Sequence, residues 1–343
     1  MLCVQLHFSK LYDGNTIWLD KNEVDPSRRY KGAFVDEDNK YAAYTLEASP
    51  DGVHWQRIVN KTGPIQDCSR VFFNPFRKKW VFSIKTGGSL GRQRAYWERD
   101  DLFHGPGWGG SVVPFPWPTV DYDDAADPLA PQLPSGQKLP GHQYYPQVYT
   151  VDAIAVESLM IGMFVIIECD DGGKGCDHMS DHEMDEVYVA FSRDGFSWSR
   201  PPAPRTPLAA MNTTHTSNWN WFDVQAAAGG FITMPDKLLM YVSGRNFQGC
   251  NITTGGCQHD STGVASIRRD GFASLDHSPH LDPASLTTRS LVWAVHATHV
   301  FVNFAGTNLT AALIDAVTGT AAHRVAQGLT QSLWNCCCWI VFD

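Results

Sequence analysis

Apolar residues in this chain fall in short runs separated by turn-forming clusters, and helical periodicity is nearly absent across the first 280 residues. Runs of this length bounded by Gly, Pro, Asn and Asp predict strands. They fall at residues 71–73 and 80–84, 148–155 and 159–167, and 230–233 and 237–242, each pair joined by a short polar link, NPFRKK, VES or MPD. The longest apolar run, LMIGMFVII at 159–167, is strand-sized and far below the roughly 20 residues a membrane helix needs. The reading is all-β.

A turn signature recurs. SPDGVHW at 49–55 and SRDGFSW at 192–198 are near-perfect copies, and RRDGF at 268–272 and ERDDLF at 98–103 are weaker ones. Each follows a strand-like run; Asp-Gly supplies the tight turn, and the following aromatic is expected to pack back under the hairpin. Counted from Asp51, Asp100, Asp194 and Asp270, the spacings are 49, 94 and 76 residues. That is the size of a four-stranded propeller blade carrying insertions. A Pro-, Gly- and Asp-rich stretch at 105–142 reads as a long loop over one face. From Thr287 the strands alternate without the Asp-Gly turn, which suggests a small β-sandwich. The expected organisation is a propeller over 1–282, a sandwich extension over 283–328 and a tail, disordered or artefactual, over 329–343.

Charge excludes one class of partner. With 27 basic and 36 acidic residues, net −9, the chain is unsuited to phosphate backbones, so nucleic acid is not expected, and with no apolar run of spanning length neither is a membrane. The 12 Trp, 11 Tyr and 18 Phe suit a β core with wet aromatic platforms. Among nine Cys, Cys169 and Cys176 share a spacing with Cys250 and Cys257, which fits two loop-clipping disulfides. Four sequons, at Asn60, Asn212, Asn251 and Asn308, point to the same oxidising compartment. No signal peptide is visible, so the expectation is a secreted or lumenal glycoprotein whose gene model starts late.

The segment DCSRVFFNPFRKKWVFSI at 67–84 resembles the Arg-Asp-Pro blade of the invertase and fructanase group. RQRAYWERDDLFHGPGW resembles the ending of that blade, and GVASIRRDGFASLD followed by TTRSL is similar to uncharacterised secreted members of the wider superfamily. The resemblance, to the five-bladed propeller glycosidases including the arabinanase-like ones, covers most of the chain. It implies a five-bladed β-propeller with a C-terminal β-sandwich, an incomplete first blade being left open. It also implies that Asp67 is the carboxylate that stabilises an oxocarbenium-like transition state, where a fixed anion is worth several kcal/mol.

The chain departs from the family pattern in two places. No "Trp-Met-Asn-Asp-Pro" motif precedes Tyr30, Asp20 being a poor substitute, and YYPQVYTVD at 144–152 lacks the expected Glu. Glu157 reads as a turn residue. Asp152 and Asp223 therefore stand as candidate acid or base, beside Asp67. Candidate sugar contacts are Arg70, His142, Tyr144, Tyr145 and Gln147, together with Trp219 and Trp221 of SNWNWFDVQ, where period-2 alternation puts Trp219, Trp221 and Asp223 on one face. Those Trp read equally as inter-blade core. The acidic stretch ECDDGGKGCDHMSDHEMDE at 168–186 reads as a solvated loop; no cofactor or metal is assigned, with calcium left open. Three functions are carried: a glycoside hydrolase acting on a poly- or oligosaccharide, a non-catalytic carbohydrate-binding propeller, and a sialidase-like enzyme, for which no arginine triad is evident. The oligomeric state is not legible.

Overall fold

The computed structural model describes residues 14–37, 42–88, 91–117, 145–169, 183–202, 204–212, 214, 218–221, 223–245, 260–269, 271–272, 285–288, 290, 299–303, 306–315, 317–331 and 337–341. They are almost entirely β, the helical element among them being a 3-10 turn at Pro26–Arg28. No helix among them is long and apolar enough to cross a membrane. The paired cysteines at 169/176 and 250/257 and the acidic segment 170–182 lie wholly or largely outside the described residues.

The chain divides into two compact units, 1–274 and 275–343, where the sequence places its first boundary at 282/283. In the first unit one sheet runs in the order β1 (Thr16–Leu19), β2 (Tyr30–Glu37), β3 (Ala42–Ser49) and β4 (Gln56–Val59), with β5 (Pro64–Ile65) also on β3. A second runs β6 (Arg70–Asn74), β7 (Lys79–Gly88), β8 (Gly91–Arg99), β9 (Phe115–Pro116). The third set is β10 (Tyr145–Val156), β11 (Leu159–Cys169) and β12 (Glu183–Ser192), edged by a bridge from Phe191 to Ser199. One parallel pair, Asp185 with Asp223, joins it to a fourth set of β13 (Asp223–Ala226), β14 (Ile232–Thr233), β15 (Lys237–Arg245) and β16 (Asp260–Arg268). Four blade-like sets are thus described among these residues, and the first, with five strands, is not short of any.

The second unit pairs β17 (His299–Asn303) with β20 (Cys337–Val341) and β18 (Gly306–Ile314) with β19 (Ala321–Gln331). Residues 337–341, read from sequence as tail, are a strand.

Period-2 side-chain alternation makes the sets stack. On β7, Trp80, Phe82 and Ile84 face a core shared with Tyr44 and Leu46 of β3, while Val81 between them faces Val148, Val151 and Phe164. On β11, Met160, Phe164 and Ile166 join that second core, and Ile161, Met163 and Val165 face Val224, Leu238 and Met240 of the fourth set. Burial on both faces is why these runs read as nearly continuous apolar stretches.

The repeated turn is real, and it has an unforeseen partner. In the two good copies, the Asp51 and Asp194 carboxylates accept the backbone N–H groups two and three residues on, at 2.8–2.9 Å. The Ser49 and Ser192 hydroxyls accept the Gly52 and Gly195 N–H at 2.8 and 2.7 Å, with both glycines at positive φ (77° and 69°). In the degraded copy the capping residue is Asp101, which accepts the Phe103 N–H at 2.7 Å, and not the neighbouring Asp100.

The closing Trp55 packs edge-on to Phe34 at 5.2 Å, and Trp198 packs edge-on to Phe164 at 5.6 Å. Each indole lies over a strand glycine, Gly32 or Gly162, two residues before the Phe. A methyl group at Gly162 would sit 2.8 Å from Trp198 and 2.9 Å from Phe164. The glycine exists to admit the indole.

The stretch read as one long loop starts as packed structure. Trp108 and Trp117 are both buried, their indole N–H groups donating to the carbonyls of Pro64 and Phe196 at 2.7 and 2.9 Å.

Gly162→Ala should therefore destabilise the first unit by about 1–3 kcal/mol through overpacking, with chemical denaturation as the measurement. Trp198→Phe in the same background should recover part of the loss, and no recovery would mean that the indole is not the obstacle.

Candidate functional site

Asp67 lies in the turn that leads into β6, and the sequence that follows it holds the turn rigidly. Cys68 takes a left-handed φ of 55°, uncommon for a residue with a side chain. The Ser69 hydroxyl then donates to the Gln66 carbonyl at 2.8 Å and accepts the Lys85 N–H at 3.0 Å, tying the turn to β7. From there the Lys85 ammonium returns to both Asp67 carboxylate oxygens, each at 2.7 Å. Lys85 is nearly buried, whereas the Asp67 side chain is 46% exposed. The anion faces solvent while its counterion backs it from within.

Tyr149 completes this corner. The register of β10 against β11 slips between Val148 and Thr150, so Tyr149 is the extra residue of a β-bulge, a device that re-aims a side chain. Its hydroxyl lies 3.4 Å from Asp67 Oδ2, and its ring packs 4.8 Å from Lys85 Nζ and 5.7 Å from the Arg92 guanidinium. Burial first, then Cys68, with which it shares a hydrogen bond, and then the Asp185 and Asp67 charges raise the Tyr149 hydroxyl far above its ordinary value. It stays a proton donor.

A second carboxylate thus acts on Tyr149. Asp185 of β12 is buried and accepts from the Gln225 amide at 2.7 Å. Its register partner Asp223, also buried, pairs with Arg245 at 3.2 Å. The acidic stretch read as a solvated loop therefore ends in strand: Glu186 is buried too and accepts the Met211 N–H at 2.9 Å. The legible signal was alternation, since Asp185 stands two positions before the fully buried Val187.

Behind the corner lies a cationic interior. Arg70, buried at the start of β6, donates to the Ser69 carbonyl at 3.3 Å. Arg94, one of the largest fully buried side chains, has no hydrogen-bond partner on any guanidinium nitrogen, and burial holds it down to about 10. Asp152 is 1% exposed. Its two oxygens accept the Ala153 and Gly229 N–H groups at 2.8 and 2.9 Å, and burial, opposed by Arg70, pushes it up to about 6.

The sequence-predicted residues therefore separate. Asp67 alone presents a carboxylate to solvent; Arg70, Asp152 and Asp223 are interior. Gln147 is buried as well, its carbonyl oxygen accepting the Arg92 N–H at 2.7 Å, which makes it a tie between β10 and β8. His142, Tyr144 and the Tyr145 side chain lie outside the described residues. Trp219 and Trp221 are not on a strand: 218–221 is a turn and β13 begins at Asp223, so the shared-face argument fails. Trp219 is 40% exposed and rests on Gly244 and Gly263. Glu157 is the expected turn residue, paired with Arg269 at 2.6 Å, and Asp20 pairs with Lys31 at 3.0 Å. Lys85, Tyr149 and Asp185 are the residues that sequence reading missed.

Comparison with known proteins gives only distant structural likenesses. No protein-family model and no curated protein matches the chain. Among solved structures it is similar to one described by the statement that the GH130 family of mannoside phosphorylases contains glycoside hydrolases that target beta-1,2 mannosidic linkages in Candida mannan, at 10% identity and TM-score 0.41, covering 69% of this chain and 61% of that one. It is also similar to a glycosyl hydrolase from Bacteroides ovatus (12%, 0.40, covering 69% and 62%) and to a sucrose-6-phosphate hydrolase from Lactobacillus gasseri (8%, 0.37, covering 68% and 40%).

The geometry of Asp152 sets a pH dependence. Its proton is held more tightly in the folded chain than at the ordinary value of 3.8, so the associated stability is full below pH 4 and is lost as pH rises to about 6. A displacement of about two units corresponds to about 3 kcal/mol. Stability of Asp152→Asn relative to the native chain, from denaturation at several pH values, should improve by that order between pH 4 and 7. A constant difference would show that Asp152 does not titrate in this window.

Proposed function

We propose that the protein is a glycoside hydrolase acting on a poly- or oligosaccharide, with Asp67 as the anion that faces the developing positive charge. The observation that carries this reading is the Asp67 corner itself. A half-exposed carboxylate is fixed from behind by Lys85 and Tyr149 on two different sheets, which meets the requirement for preorganised charge. Glycosidic cleavage needs a second carboxyl. In this reading Asp185, held by Gln225, is the candidate for it, and its charge and that of Asp67 both act to raise the Tyr149 hydroxyl. Tyr149 keeps its proton and so can orient a sugar hydroxyl or the leaving oxygen.

The observed burial of Asp152, Asp185 and Asp223 favours a second reading, a carbohydrate-binding propeller without catalysis, in which the lysine-neutralised Asp67 only accepts from sugar hydroxyls. In either reading the ligand is a carbohydrate, and a secreted or lumenal location fits such a substrate.

Turnover of an aryl-glycoside and polysaccharide panel separates the two. One substrate should be hydrolysed, Asp67→Asn should lose at least about 100-fold in kcat, and Asp185→Asn should lose a comparable factor. Saccharide binding with no turnover by the native chain would establish the binder instead.

A further inference from the structure

The β6–β7 turn lies at the far end of β6 from Asp67, and it borders a groove of about 490 Å³ that plays no part in the proposed chemistry. The groove is built from four places in the sequence. Arg77 comes from that turn, Tyr96, Trp97 and Glu98 from β8, Phe115 from β9, and Phe196 from the Asp194 turn. Two hydrogen bonds from buried side chains hold the walls in register. The fully buried Asn74 donates its amide to the Asp194 carbonyl at 2.6 Å, and the buried Trp117 indole donates to the Phe196 carbonyl at 2.9 Å. In the Asp194 turn Trp198 is the aromatic that packs inward, which leaves Phe196, next to Gly195, 39% exposed. Phe115 is 65% exposed.

The polar side of the groove is a matched set. The Arg77 guanidinium donates to the Tyr96 hydroxyl at 2.8 Å and to Glu98 at 3.0 Å, and Tyr96 donates to Glu98 in turn. The Arg77 and Glu98 side chains, donor beside acceptor and both held on the buried Tyr96 hydroxyl, suit vicinal hydroxyls, which donate and accept at once. Exposed aromatic faces suit the C–H face of a pyranose or furanose ring. Charge narrows the choice further: an anionic ligand would meet Glu98 and Asp194, while Arg77, the one cation among the described lining residues, is already paired.

We infer that this groove is a second saccharide-binding site, taking a neutral oligosaccharide segment and separate from the Asp67 corner. The inference rests on the carbohydrate reading above for its choice of ligand. In a chain-cleaving enzyme such a site would retain a polymeric substrate between encounters with Asp67.

Calorimetry and saturation-transfer NMR with neutral manno-, arabino-, fructo- and gluco-oligosaccharides of four to six units test it. The Asp67→Asn chain should bind at least one of them, and Phe115→Ala with Phe196→Ala should weaken that binding at least about tenfold. Arg77→Met, which keeps the groove's apolar wall, should do the same without changing thermal stability measurably. Hydrolysis of small aryl-glycosides should be unaffected by these groove variants. Binding that is indifferent to all of them overturns the second site while leaving the Asp67 reading intact. Groove-dependent binding with no turnover by the native chain overturns the hydrolase and leaves the groove standing. Absence of any saccharide binding, or binding of a proline-rich peptide in its place, overturns the inference.

Discussion

Burial of both faces of the long strands is the constraint on which the molecule depends. β7 and β11 each send alternate side chains into two different cores, so neither sheet can shift by one residue without exchanging its two faces. Register is therefore strongly specified, and positions held by register inherit that rigidity. Lys85 stands opposite Arg94 on β8, and Asp185 opposite Asp223 on β13. Charged groups are thereby placed in the interior by packing that is itself apolar.

Those charges are what make the Asp67 corner unusual. Lys85, Arg70 and Arg94 enter from neighbouring strands, and the Arg94 guanidinium is buried without a hydrogen bond. An interior cation is expensive unless it is compensated electrostatically. Here the acceptors nearby are Asp67, Asp152, Tyr149 and Cys68, and the last three are shifted or strained in keeping with a crowded polar interior. Asp152 is raised by burial, Tyr149 is carried on a bulge, and Cys68 has a left-handed backbone. Strain of this kind collects where a chain holds groups for function rather than for stability.

The two ends of β6 illustrate how one fold offers different chemistries. At its start a strained turn presents a carboxylate; at its end a turn pinned by Asn74 presents aromatic rings and a paired arginine. The scaffold between them is the same five-residue strand, Arg70–Asn74.

Sequence by itself determined the local elements. Asp-Gly with a preceding Ser dictates its turn through hydrogen bonds within a few residues, and apolar runs bounded by turn signals dictate strands. The all-β class and the blade-like sets followed from those short-range rules, as did the turn at Glu157. Tertiary structure decided which polar residues meet. Lys85, Tyr149 and Asp185 are far apart in sequence, and their convergence depends on sheet stacking and on a bulge whose trace in the chain is only the three-residue step between Val148 and Val151 on one face. The same holds for Asp152, Asp223 and Gln147, polar residues that sequence suggested for a site and that packing placed in the interior. Spacing along a strand fixes which face a side chain takes; only the neighbouring sheet decides whether that face meets water.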